Sequence, residues 1–190
     1  MNFRHRMCIA VFLCVLFLGN TAFAAPQNST NGLDRLNAEV TKQKTVLDDT
    51  SRTKIQNSCQ TAQGNLKNLR QKGQNYQRER SETYLDIENE IDALRLRLKR
   101  QAIEVSGIAN GMMGYRELTA QYDQLSQAYI DALSDTIDVD CHNNPEAFMA
   151  GLSLVRQKRE LLLANTNSIN NSITKTFHEQ FDLIKKSLKV

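Results

Sequence analysis

The sequence has no tryptophan, two prolines and few aromatic residues (6 %). A large aromatic core is therefore excluded. Only Pro26 and Pro145 forbid helix on proline grounds, so most of the chain is free to be helical. After residue 18 no apolar run reaches the ~20 residues that a spanning helix needs. Signatures of catalysis are missing as well. There is no G-x-S-x-G, no P-loop, no G-x-G-x-x-G after a strand and no paired-cysteine zinc spacing. Helix-turn-helix, RNP-like and zinc-finger patterns are equally absent, so nucleic-acid recognition has no motif to rest on. No cofactor, no catalytic residue and no enzymatic activity are expected.

What is present begins with the pattern of an export signal. Arg4, His5 and Arg6 form a basic start, residues 7–18 are uninterruptedly apolar, and Ala22-Phe23-Ala24 fits the small-x-small cleavage rule. Cleavage is expected after Ala24, against the alternative of a retained anchor. A lipid-attachment reading fails at Cys14, because Val11-Phe12-Leu13 lacks the small residues it needs. Cleavage also alters the charge. Arg4 and Arg6 leave and no acid does, so 24 basic residues fall to 22 against 21 acidic ones. The mature chain is nearly neutral, which removes the compositional support for a nucleic-acid partner.

Cys8 and Cys14 leave with the signal, and Cys59 and Cys141 remain. An even pair in an oxidising compartment is a disulfide by default, here closing a long loop worth about 4 to 5 kcal/mol in the chain-entropy model. Free or intermolecular thiols are the alternative. No C-x-x-C is present to suggest redox chemistry.

The mature chain divides into a polar, disordered leader at 25–32 and one helical domain at 33–190. Leu33, Leu36, Val40 and Leu47 share a helical face. Ile55, Cys59, Ala62, Leu66, Leu69, Gly73 and Tyr76 then step by 4 and 3, which is a heptad seam. Gly73 marks a kink or turn. Residues 106–114 hold three glycines, so a helix reversal is expected there, in preference to a small-x-x-x-small packing role for Gly107 and Gly111. Tyr115, Leu118, Tyr122, Leu125, Tyr129 and Ala132 form the next seam. Residues 135–145 break the chain again: acids oppose the dipole at a helix C-terminus, so the helix stops before Asp138. Asn144, Pro145 and Glu146 suit the start of a last helix reaching Val190, about 65 Å if wholly helical. The expected fold is all-α: an elongated antiparallel helical bundle or coiled-coil hairpin of three to four helices with one disulfide.

Three groups of residues carry candidate functions. Tyr115, Tyr122 and Tyr129, at seven-residue spacing, are a candidate interaction seam, with ordinary core packing as the bland reading. Arg95, Arg97, Lys99 and Arg100 form a basic patch for an acidic partner, with a solvated face as its bland reading. In a hairpin this patch lies at the opposite end from the acids Asp131, Asp135, Asp138 and Asp140. Asp138, Asp140 and His142 are a weak metal candidate whose spacing matches no known pattern, and the expectation is no metal. The expected function is an exported, non-enzymatic helical interaction protein, an adaptor or assembly component of the cell envelope or surface, periplasmic or extracellular. Its partner would be an envelope or extracellular protein, with self-association into a homo-oligomer and no stable membrane span after cleavage. The alternatives are a holdase-like chaperone for exported proteins and a small-molecule or metal-binding helical bundle.

Overall fold

The computed structural model describes residues 47–188. The expected signal (1–24), the leader (25–32) and the stripe residues Leu33, Leu36 and Val40 lie outside the described residues, as does Val190. The described chain is all-α and contains three long helices, a π-helical turn and a last short helix. They are α1 (Asp49–Arg100), α2 (Ser106–Ile137), α3 (Pro145–Asn171), the π-turn (Ser172–Phe177) and α4 (His178–Ser187). Alpha-helical α3, the π-turn and α4 follow one another without a break in helical backbone.

Asp48 caps α1 by accepting a hydrogen bond from the Ser51 N–H at 2.6 Å, so Leu47 stands before the helix rather than on its stripe. The helix then runs for 52 residues, about 78 Å. Gly73 does not end it. It faces the Tyr129 ring, whose Cε1 lies 3.5 Å from where a Cβ would stand, an ordinary van der Waals distance.

The first reversal falls at residues 101–105, just before the glycine-rich segment rather than in it. Ala102 adopts φ 58°, and the amides of Ala102 and Ile103 close on the Lys99 and Leu98 carbonyls. A non-glycine residue in this region is disfavoured by roughly 1–2 kcal/mol. The glycines are needed elsewhere. Gly107 and Gly111 lie inside α2 where the last helix crosses it: a Cβ at Gly111 would meet Phe177 Cε1 at 3.0 Å, and one at Gly107 would overlap the Gln180 side chain. Close packing thus overrides the turn preference of glycine.

The second reversal is where the sequence places it. α2 stops at Ile137, Asn144 precedes α3 and Pro145 opens it, although the Asn144 side chain makes no capping bond. The stripe Ile169, Ile173, Phe177, Phe181 advances in steps of four. Each such step overshoots a 3.6-residue turn by about 40°. The wider π-turn absorbs that drift and keeps Phe177 buried.

α2 is the central helix. It packs on α1 along one side and α3 along the other, while α1 and α3 scarcely meet. Its buried face is accordingly broad, whereas of α1's 52 residues only Leu66 and Tyr84 are fully buried. The apolar core is split in two. One cluster, at the disulfide end, gathers Leu66, Leu133, Ile137, Val139 and Phe148. The other, toward the first reversal, gathers Tyr84, Ile108, Met112, Tyr115, Tyr122, Ile169 and Phe177.

Candidate functional site

At the disulfide end, Cys59 and Cys141 are joined, with Cα atoms 5.6 Å apart and a sequence separation of 82. The bond is intramolecular and ties α1 to the loop before α3. It does not act alone. Gln63 Nε2 donates to the carbonyls of Ile137 and Val139, each at 2.9 Å, and Gln56 Nε2 donates to that of His142 at 2.9 Å. Arg52 pairs with Glu146 at 2.5 Å. Arg52, Gln56, Cys59 and Gln63 step by 4, 3 and 4, which is one face of α1. Sequence reasoning found only the cysteine of this stripe. Polar residues in phase with an apolar seam were the available signal.

The weak metal candidates do not converge. Asp140 turns back on its own loop, where its Oδ1 accepts from the amides of His142 and Asn143 and its Oδ2 from Asn143 Nδ2 at 2.6 Å. The Asn143 side chain, then these amides, hold the Asp140 carboxyl below the usual carboxylate range. Asp138 and His142 are exposed. Among the described residues no group of three or more His, Cys, Asp or Glu is arranged to hold a metal ion.

The basic patch ends α1. Arg95 is paired with Asp92 at 2.8 Å, one turn away, and Arg97 Nε reaches the Ala93 carbonyl at 3.4 Å. Arg97, Lys99 and Arg100 sit in the last turn, where cations complement the helix dipole. Because α1 and α2 are antiparallel, this patch is about 57 Å along α1 from Cys59, and so from the loop acids.

The tyrosine seam is split in role. Tyr115 and Tyr122 are core residues. Their rings meet Tyr84 edge-on at 6.5 and 5.2 Å, and their hydroxyls donate to the carbonyls of Tyr84 (3.1 Å) and Tyr76 (3.3 Å). Burial raises the pKa of both above the ordinary value of 10. Tyr129 is half-buried, and burial raises its hydroxyl too, partly offset by the Arg159 charge.

Between the two core clusters the helices leave a groove of about 280 Å³. Its floor is Tyr122, Ser126 and Tyr129 of α2. Leu69, Gly73 and Tyr76 of α1 form one wall, and Leu162, Leu163 and Thr166 of α3 the other. Lys72, Arg80 and Arg159 stand around it. Sequence reasoning named Tyr122 and Tyr129 but not the groove, which exists only because α1 and α3 scarcely meet across α2.

No protein-family model, curated protein or solved structure matches this chain. Among the described residues no helix is long and apolar enough to cross a membrane.

Proposed function

We propose that this protein is an exported, non-enzymatic helical interaction protein, acting as an adaptor or assembly component of the cell envelope or surface. The observation that carries the reading is α1. Over its 52 residues, about 78 Å, only Leu66 and Tyr84 are fully buried; Ile55, Cys59, Ala62, Ile87, Ile91 and Leu98 are partly buried against the core, and most of its remaining surface is exposed. Leu85 and Leu96 are exposed along it, beyond the face used for α2. Such a helix offers surface to a partner, and the disulfide-end stripe fixes its direction relative to the other helices. The formed disulfide supports an oxidising compartment, in keeping with the signal pattern of residues 1–24.

Crosslinking in intact producer cells, followed by identification of the bound proteins, tests this reading. One defined envelope partner at a near-constant ratio supports the adaptor. A broad set of unfolded exported chains replaces it with the holdase-like chaperone. Self-crosslinks alone replace it with a homo-oligomer that has no adaptor role.

A further inference from the structure

We infer that the groove between α1 and α3 is a binding site for a small organic anion: a compact apolar or aromatic body carrying a carboxylate, sulfonate or phosphate. This goes beyond the adaptor reading and does not depend on it.

Four observations carry the inference. The groove holds about 280 Å³, just below the roughly 300–1,000 Å³ usual for small-molecule sites and enough for a compact ligand. It interrupts the core, lying between the cluster around Leu66 and the cluster around Tyr84, so its walls are apolar where a continuous bundle would be filled. Three large apolar side chains remain exposed along it: Leu69 (45 %), Tyr76 (59 %) and Leu163 (49 %). An apolar body seated there would remove them from water.

Charge selects the ligand. Lys72, Arg80 and Arg159 line the groove, no acidic residue does, and none of the three forms an ion pair among the described residues. The nearest acid on the floor helix, Asp123, is engaged by the Ser81 hydroxyl at 2.5 Å outside the lining. Cations from two different helices thus face one apolar cleft, which favours an anionic head over a neutral or cationic one.

The floor also holds a buried hydroxyl. Ser126 is 3 % exposed and lines the groove, yet its Oγ completes no hydrogen bond. It lies close enough to Tyr122 to offset part of that hydroxyl's upward shift, but without the geometry of a full bond. Buried hydroxyls without a partner are rare, because each retains its desolvation penalty. This Oγ is itself closed to solvent, so the groove offers a ligand its cations and apolar walls rather than Ser126.

The test uses the purified, oxidised protein and three probes of one shape: 2-naphthalenesulfonate, 2-naphthalenemethanol and 2-naphthylmethylammonium. Calorimetric titration is expected to give saturable 1:1 binding of the sulfonate, at least tenfold tighter than the other two and weakened by added salt. Arg80→Gln with Arg159→Gln is expected to weaken the sulfonate at least tenfold. Arg97→Gln with Arg100→Gln, at the far patch, is expected to leave it unchanged. All four positions are exposed, so folding is retained and is checked by thermal melting. Equal binding of the three probes, no binding, or equal loss in both variant pairs overturns the proposal. A photo-crosslink from position 163 to one partner protein in producer cells also overturns it, in favour of a docked helix.

Discussion

Gly151 of α3 lies hard against Thr136 of α2: a Cβ built on the glycine would stand 2.6 Å from Thr136 Oγ1 and 3.1 Å from its Cβ. The threonine has little room to yield, because its Oγ1 donates to the Ala132 carbonyl at 2.7 Å and its side chain is fully buried. The two backbones therefore approach at this point only because one residue has no side chain. Gly151→Ala is expected to destabilise the protein by about 1–3 kcal/mol, as overpacking does. Gly64 makes the opposite case. Its Cβ would meet open space, so Gly64→Ala is expected to stabilise α1 by about 0.5–1 kcal/mol. Urea denaturation of the two variants checks both signs.

The clasp at the disulfide end is expected to contribute through two separable parts. Replacing Cys59 and Cys141 together by serine should lower stability by about 2–5 kcal/mol, chiefly by releasing the unfolded chain. Gln63→Met keeps much of the volume and removes both bonds to the end of α2, leaving the Ile137 and Val139 carbonyls short of a donor. Its expected loss is about 1–3 kcal/mol with the disulfide intact. Chemical denaturation under oxidising and reducing conditions separates the two.

Alkaline pH is expected to melt the aromatic cluster. Burial lifts the hydroxyls of Tyr115 and Tyr122 above the ordinary value of 10, so the folded state retains protons that the unfolded chain releases. Their contribution is complete below pH 10 and is lost as pH rises from there toward the folded-state values. Thermal melting between pH 8 and 12 should show the melting temperature falling above pH 10. Tyr115→Phe and Tyr122→Phe should blunt the fall.

Ser126 Oγ and Asn165 Oδ1, buried without a hydrogen bond among the described residues, are expected to respond differently to removal. Ser126→Ala deletes a hydroxyl with no completed bond and should raise stability by up to about 1 kcal/mol. Asn165→Ala also deletes an orphaned Oδ1, but it removes the amide that donates to the Leu118 carbonyl and to Gln121 Oε1. That variant should lose about 1–3 kcal/mol. Calorimetric melting of the single variants decides it.

The helices were legible because their signals are local. Heptad spacing marked the seam of α1, and Pro145 with Glu146 marked the start of α3. The first reversal was displaced because Gly107 and Gly111 serve a contact with Phe177 and Gln180 some 70 residues later, which no local rule reports. Gln56 and Gln63 were missed for the same reason: their partners are carbonyls made available only where α2 ends. Of the candidate residues, the cysteines are joined as expected, Tyr115 and Tyr122 are core, and Asp138, Asp140 and His142 do not form a ligand set.

The sequence by itself determined the all-α class and the long antiparallel helices, and made a bond between Cys59 and Cys141 the default; that the bond lies within one chain is a finding of the tertiary structure. Periodicity, proline placement and cysteine count act over a few residues or by elimination, so they need no coordinates. Only the tertiary structure decided that α2 is central, that α1 and α3 scarcely meet, and that the core is broken by a cation-rimmed groove. Those features depend on which faces meet across the bundle. The meeting is set by side-chain volumes far apart in sequence, Gly111 against Phe177 and Gly151 against Thr136 among them.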